Sequence, residues 1–305
     1  MKSISILGIF VADLAFFGNS IPEIGETVLG EKYVIGPGGK GSNQAVAAAK
    51  AGAKTYFISK IGEDQFGKMA IKLYDKVGVD YSHVVITNDH ATGAAGILVN
   101  QQSGINAINV VSGASGTLTS HDIDNASEII KKSNIFMTQL EVSKEVVFYA
   151  LKIAHQNNVP VILNPAPADT INKEIFPLID YFTPNETEAS FYVDYKVKNE
   201  EDAKKASEEL LKLGIKNIII TLGEKGAFFA NDKESFHVPV INLNTAVVDT
   251  TGAGDAFNAG FAVALTEGFN NKDAIRFANA TAGLSTTKLG TANSMPLRSE
   301  IEKYL

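Results

Sequence analysis

Ile135-Phe136-Met137-Thr138-Gln139, then the helical pattern Lys144–Gln156, then Val159-Pro160-Val161-Ile162-Leu163-Asn164 form the stretch that decides the fold. Two short apolar runs flank a segment whose apolar residues recur three and four apart, the helical period. A strand, a crossover helix and a second strand set two parallel strands in one sheet, and strands so short and apolar are covered on both faces. The unit repeats. Ile4–Ile9 reads as a strand, Ser42–Ala51 as an alanine-rich helix, Thr55–Ile61 as a strand and Gln65–Val77 as a helix. Further on, Tyr181–Pro184 and Asn217–Leu222 are strands, and Glu201–Leu213 is a helix with Gly214 at its C-cap. Repeated strand–helix units predict an α/β fold with a mainly parallel sheet and helices on both faces.

Two segments break this rhythm. Glu26–Gly36 and Ala91–Val111 are strand-like without intervening helices, and the second contains the turn Gln101-Gln102-Ser103-Gly104. They predict antiparallel hairpins too small to form a domain, which as a projecting sheet would serve as a lid. The chain, 1–305, reads as one core domain with lid strands from about 12–37 and 90–112 inserted into it. Met1–Phe17 starts with a lysine-led apolar run that resembles a leader, but Asp13 interrupts it; a buried first strand is the expectation. No stretch reaches the ~18 apolar residues of a membrane helix, so a cytoplasmic protein with no membrane partner is expected.

Composition narrows the function. Of 305 residues, 45% are hydrophobic and 20% charged, which is globular composition with enough chain for a sizeable core. The absence of cysteine removes disulfides, thiolate metal sites and cysteine nucleophiles. A net charge of −7 argues against a nucleic-acid partner. Arg276 and Arg298 are the two arginines, so a phosphate site must rely on backbone N–H groups, lysine and metal. The five histidines show no metal-ligand spacing and are expected at the surface.

The strongest local signal is Asp249-Thr250-Thr251-Gly252-Ala253-Gly254-Asp255 before the helical pattern Ala256–Glu267. Glycines allow a tight turn and close approach of a ligand, and the helix start behind them suits an anion. Asp255 would lie in the first turn, where the alternative to a functional role is a plain cap. There is no Walker A loop, no Gly-x-Ser-x-Gly elbow, and Phe257 stands where a dinucleotide fingerprint needs its third glycine. A second cluster, Gly36-Pro37-Gly38-Gly39-Lys40-Gly41-Ser42-Asn43, would offer Lys40 and Asn43 to a hydroxylated ligand, or be only a flexible connection. Pro184-Asn185-Glu186-Thr187-Glu188 reads as a capping box or as a carboxamide and carboxylate beside a metal–phosphate ligand. Thr221-Leu222-Gly223-Glu224-Lys225-Gly226 is a tight turn after a strand, where parallel sheets place ligands, or a simple hairpin.

Together these residues resemble the ribokinase branch of the PfkB carbohydrate kinases. Gly38–Ala45 resembles that family's N-terminal sugar-binding signature and Asp249–Asp255 its C-terminal signature. Asn185–Glu188 matches its Asn-x-x-Glu motif, and Asn164-Pro165-Ala166-Pro167-Ala168 is similar to the ribokinases in particular. The matches follow family order and spacing over essentially the whole chain. The resemblance implies a three-layer α/β/α core with a small β-sheet lid that often forms a homodimer interface, and transfer of the ATP γ-phosphoryl to a sugar hydroxyl. It implies Asp255 as general base on the 5-hydroxyl and Gly252, Ala253 and Gly254 as the anion hole. Asp13, Gly39, Lys40, Asn43 and Glu141 would hold the sugar. Asn185, Thr221, Gly223, Gly226, Gly254 and Asn279 would meet the nucleotide, with Glu188 organising Mg²⁺. Asp249, Thr251, Ser285, Lys288, Gly290 and Ser294 would surround a monovalent cation, K⁺, largely through carbonyls.

One position departs from the pattern. Ribokinases usually carry an asparagine two residues before the aspartate of the first sugar loop; here Val11 stands two residues before Asp13. Three readings follow: a ribose kinase, a kinase for a related sugar such as 2-deoxyribose, and a binding protein without catalysis. Intact Asp255 and Gly252-Ala253-Gly254 argue against the third.

Overall fold

The computed structural model describes residues 2–305. In chain order the strands are β1 (Ser3–Leu7), β2 (Val11–Gly18), β3 (Lys32–Gly38), β4 (Lys54–Gly62), β5 (Asp80–Thr87), β6 (Thr92–Asn100), β7 (Asn106–Gly113), β8 (Ile135–Thr138), β9 (Val161–Leu163), β10 (Tyr181–Phe182), β11 (Asn217–Thr221), β12 (Ala227–Asn231) and β13 (Ser235–Val238). The helices are α1 (Lys40–Lys50), α2 (Gln65–Val77), α3 (Ser120–Lys132), α4 (Lys144–Gln156), α5 (Glu186–Val193), α6 (Glu200–Leu211), α7 (Ala253–Thr266), α8 (Asn271–Ser285) and α9 (Arg298–Ile301).

Side-chain alternation along the strands builds the layers. Ile4, Ile6, Met137, Ile162 and Ile219 join α1, α2, α7 and α8 in one apolar core. Leu7, Phe136, Leu163, Ile218 and Ile220 join α3, α4, α5 and α6 in the other. Between the two lies a nine-stranded sheet, ordered β13-β12-β11-β10-β9-β8-β1-β4-β5. It is parallel except for the antiparallel edge formed by β12 and β13. β5 gives no clear pattern in sequence because, as an edge strand, it is half-buried or exposed along its length.

From β1 the chain runs outward through β4 and β5, then returns to lay down β8 on β1's other side. Open parallel sheets take ligands at such a switch point, beyond the carboxyl ends of the strands. Gly8, just after β1, makes that end passable, since a Cβ there would overlap the Gln139 side chain and the Gly41 backbone.

A separate sheet ordered β3-β2-β6-β7 projects from the same end. β6 and β7 form the antiparallel hairpin expected from Ala91–Val111. Glu26–Gly36 is not a hairpin of its own. Only Lys32–Gly38 is strand, and its antiparallel partner is β2. The apolar run from Ile4 is thus two strands in two sheets, separated by Gly8, Ile9 and Phe10. Periodicity could not divide them, because both are apolar and the break is only three residues.

Candidate active site

Gly252-Ala253-Gly254-Asp255 is the first turn of α7, which begins at Ala253 rather than Ala256. Gly252 has φ 80°, a left-handed conformation that glycine adopts without a Cβ penalty. The Ala253 N–H donates to the Thr250 carbonyl at 3.2 Å, whereas those of Gly252, Gly254 and Asp255 find no partner among the described residues. A Cβ at Gly254 would stand in open space. Free donors and the positive end of a long helix therefore face an accessible volume. Of the three hole residues expected, Gly252 and Gly254 keep their donors free, Ala253 does not, and Asp255 adds its own.

Asp255 does not cap its helix. Its carboxylate is buried and accepts from Asn43 Nδ2 at 2.9 Å and Gln44 Nε2 at 3.2 Å, both on α1. Lys40 on the same helix, Asp13 on β2, Glu141 after β8 and Glu188 on α5 supply the surrounding charge. Burial raises the pKa of Asp255, opposed by Lys40, Asn43 and Gln44. Burial likewise pushes Glu141 up to about 7 against the pull of Lys40, and Asp13 to about 6 with help from the Asp255 charge. Glu188 is raised by burial too. Burial works to lower the Lys40 ammonium, but Asp255, Glu141 and Glu188 hold it above its ordinary value. One cation answers three of these carboxyl groups.

On the expected sugar side, Gly39 has φ 90°, and a Cβ there would crowd the Ile9 carbonyl. The Lys40 N–H donates to Glu141 Oε2 at 2.9 Å, which ties the start of α1 to the loop after β8. The Asp13 carboxylate lies over Gly38, where a Cβ would overlap it. Asn43 Oδ1 is buried with no partner among the described residues, an acceptor left for a ligand hydroxyl. Val11, buried at the head of β2, shares Asp13's face of the strand.

On the expected nucleotide side, Asn185 and Glu188 do form the capping box, with bonds of 2.8 and 2.9 Å. Thr221 N–H donates to the Pro184 carbonyl at 3.0 Å, and Asn185 bridges to Thr221. The turn Gly223–Gly226 joins β11 to β12 as a hairpin. Gly223 (φ 54°) faces open space, while a Cβ on Gly226 would overlap the Val238 carbonyl. Gly226 is thereby required by the hairpin itself. Asn279 Nδ2 donates to the carbonyls of Val238 and Pro239 at 3.2 and 3.0 Å, anchoring the chain that leaves β13.

The expected cation loop is assembled around Asp249, whose carboxylate accepts from Thr251 N–H at 2.9 Å and Gly290 N–H at 3.0 Å. Asp249 N–H donates in turn to the Thr286 carbonyl, next to Ser285 at the end of α8. Ser294 Oγ donates to the Thr291 carbonyl, and Lys288 Nζ reaches Glu300 at 3.0 Å, leaving only the Lys288 backbone to the loop. A donor set made wholly of oxygen fits a hard cation. Among the described residues no three His, Asp or Glu side chains converge as a metal cage. A magnesium ion fits here if phosphate oxygens complete a shell begun by Glu188, as magnesium sites with phosphorylated substrates commonly do. No histidine is buried.

Residues to which motif reading assigns no role complete the site, although Gln44 and Asn164 lie within the motifs themselves. Gln44, Gln139, Asn164, Thr183 and Asn258 are buried and hydrogen-bonded behind Asp255. A signal exists: each apolar run Ile135–Thr138, Val161–Leu163 and Tyr181–Phe182 is followed at its carboxyl end by a polar residue too deep for a loop.

Comparison with known proteins agrees with this geometry. The profile of the pfkB family carbohydrate kinases matches residues 1–298. The chain is 40% identical over 304 residues to a ribokinase of Haemophilus influenzae, covering 100% of this chain and 98% of that one. It is 36% identical to a deoxyribokinase of Salmonella typhi, covering 99% and 98% respectively. Among solved structures, the ribokinase of Thermotoga maritima matches with a TM-score of 0.90 at 37% identity, covering 100% of this chain and 99% of the other. An Arabidopsis thaliana ribokinase complexed with ribose and ATP matches with a TM-score of 0.91 at 33% identity, over 99% and 98% of the two chains. The chain belongs to the pfkB family of carbohydrate kinases. It is a phosphotransferase with an alcohol group as acceptor, on the three-layer fold with a small accessory sheet.

Proposed function

We propose that the protein transfers the γ-phosphoryl of ATP to the 5-hydroxyl of D-ribose, giving ribose 5-phosphate and ADP. The observation that carries this is the juxtaposition, at the N-terminus of α7, of a buried carboxylate and unpartnered backbone N–H groups. Phosphoryl transfer needs positioning and charge stabilisation more than covalent help from protein. Asp255 takes the proton of the hydroxyl, while the N–H groups of Gly252, Gly254 and Asp255 meet charge on the phosphoryl oxygens. Asp13, Gly39, Lys40, Asn43 and Glu141 hold the sugar. Asn185, Thr221, Gly223 and the loop anchored by Asn279 border the nucleotide. Glu188 helps to hold Mg²⁺, which supplies neutralisation of phosphate charge when bound. K⁺ belongs to the loop of Asp249, Thr251, Ser285, Lys288, Gly290 and Ser294, which abuts the first turn of α7.

A second substrate, 2-deoxyribose, is favoured by Val11. An apolar side chain where the family carries an amide leaves no partner for one sugar hydroxyl, and a deoxyribokinase stands among the relatives.

The accessory sheet is read as a lid and as the interface of a homodimer. Val34, Ala15, Ile97 and Ile108 lie directly opposite one another across β3, β2, β6 and β7, on the face that also carries Asp13. Val34 and Ile108 are about half exposed, at 52% and 54%, and a second copy's lid would cover them. No helix among the described residues is long and apolar enough to cross a membrane. The cytoplasm, where ATP is available, is the expected place of action.

Asp255→Asn tests the central claim. Turnover should fall by ~10²–10⁴-fold, the usual loss on removing a positioned base, while ATP binding by calorimetry stays near wild type. A mutant with near-wild-type turnover would make Asp255 a structural carboxylate only.

A further inference from the structure

Asp255 is held from behind by a closed circuit of buried amides. Gln44 Nε2 donates to Asp255 Oδ1 at 3.2 Å and lies 3.5 Å from Asn164 Oδ1. Gln44 Oε1 accepts from Gln139 Nε2 at 2.6 Å. Asn164 Nδ2 donates to the Thr183 carbonyl at 3.0 Å, Thr183 Oγ1 donates to Asn258 Oδ1 at 2.5 Å, and Asn258 Nδ2 donates to the Gly254 carbonyl at 2.9 Å. The path leaves at the Asp255 carboxylate and returns at the residue before it. It draws on α1, the ends of β8, β9 and β10, and the first turn of α7. Gln44 has 0% exposure, so none of this is solvated surface.

An ionised carboxylate offers only acceptors, so Gln44 must meet it with its NH₂ edge. Nothing in Gln44 alone fixes that choice. Asn164 does: its Nδ2 is committed to the Thr183 carbonyl, so its Oδ1 faces the NH₂ edge of Gln44, while Gln139 Nε2 meets the opposite edge and its own Oε1 finds no partner among the described residues. A flipped Gln44 would set its oxygen against both Asp255 and Asn164. Buried polar groups are costly, the more so as Gln139 Oε1 finds no partner among the described residues, so five of them behind one carboxylate imply a task that an apolar core would not perform.

We infer that Gln44 is a positioning residue for phosphoryl transfer: oriented by Asn164, with Gln139 on its opposite edge, it fixes the direction of the Asp255 carboxylate and favours its ionised form, without touching sugar or nucleotide. The inference rests on the reading of Asp255 as general base. The charged groups facing Asp255 are Lys40 from α1, Asp13 from β2, Glu141 from the loop after β8 and Glu188 from α5. Lys40 and Asn43 also favour the ionised form. Removal of Gln44's donor should therefore weaken, not abolish, the base.

The experiment follows kcat from pH 5 to 9 with sugar and MgATP saturating, for wild type, Gln44→Met and Gln44→Glu. Losing a hydrogen bond to a charged group should move the acidic limb of the Gln44→Met profile up by roughly one to two pH units. At pH values below both limbs kcat then drops ~10–100-fold and recovers as pH rises, while the sugar KM changes by less than ~3-fold. Gln44→Glu, the same shape with a second carboxyl against Asp255, should move the limb at least as far, because two adjacent carboxylates resist joint ionisation. It carries the test if Gln44→Met does not fold. A limb that coincides with wild type in the folded variant, or a loss of equal factor at every pH, overturns the inference. Asp255→Asn run alongside separates the two claims. An active Asp255→Asn removes the base reading itself; an inactive one beside an unmoved Gln44 limb removes only the role of Gln44.

Discussion

Replacing Val11 with asparagine bears directly on which sugar the site prefers. Val11 is 3% exposed and packs in the apolar cluster that includes Ile9, Ala95 and Leu118. Its ladder neighbours are Gly38 on β3 and Gly93 on β6, and the side chain lying over Gly38 is Asp13, an acceptor that can take an amide N–H but leaves the new amide oxygen without a donor. An unpaired buried amide oxygen costs about 1–3 kcal/mol, and ligand-free Val11→Asn should melt lower than wild type by that amount. A ribose 2-hydroxyl beside position 11 would give the amide its partner; 2-deoxyribose would not. The difference between the two sugars is then worth about 1.4 kcal/mol or more, a tenfold or larger shift in the kcat/KM ratio toward ribose. In wild type, an apolar contact discriminates weakly, and the two sugars should lie within ~10²-fold in kcat/KM. Coupled ADP-release kinetics on both sugars, with thermal melts in the presence of each, supply the numbers. Strong ribose preference in wild type, unmoved by Val11→Asn, would mean that Asp13, Asn43 and Glu141 select the sugar and Val11 only packs.

Other outcomes follow from the same geometry. Glu141 is raised from 4.5 to about 7 and Asp13 from 3.8 to about 6, so the folded state holds these protons longer than the unfolded chain does. Stability should accordingly fall as pH rises through 4.5 to about 7, making the ligand-free protein melt higher at pH 6 than at pH 8. Glu141→Gln should narrow that gap in differential scanning fluorimetry while raising the sugar KM. Adding K⁺ at constant ionic strength and Mg²⁺ should raise the rate, and an unchanged rate in buffer free of K⁺ and Na⁺ would refute the cation loop. Placing aspartates at Val34 and Ile108 should yield monomers in sedimentation velocity, since both stand on one apolar row of the lid.

How much of this was legible in the sequence depends on whether a signal is local. Gln65–Val77 and Lys144–Gln156 are helices at the predicted bounds, because amphipathic period and flanking turns coincide there. The boundary between β1 and β2 was not legible, since strand pairing and not composition divides an apolar run. The first turn of α7 was misplaced by three residues for a related reason: Gly252 and Gly254 lower helix propensity, yet Gly252 only opens the helix and Gly254 lies inside it. Motif reading located Asp255 but left open whether it merely capped. What settles that is a contact across 211 residues, from Gln44 to Asp255, and no local pattern carries such information.

The same contact explains how a kinase with so little guanidinium manages phosphate. Arg298 is paired to Glu267 and Glu302, and Arg276 lies on α8, outside the site described. In the proposed function, charge on the transferred group would instead meet the N-terminus of α7, Lys40 and bound cations. That solution places Asp255 in the helix's first turn, where the dipole favours its ionised form, but also buries it among Asp13, Glu141 and Glu188, which oppose that form. Burial by itself favours the protonated carboxyl, which cannot accept a proton. The Lys40 charge and the donors of Asn43 and Gln44 oppose that penalty. In the proposed function, a sugar hydroxyl would meet the free acceptor at Asn43 Oδ1, and cations would offset the excess of negative charge. The ligand-free site is thus less stable than it could be, as sites that must bind charged transition states commonly are.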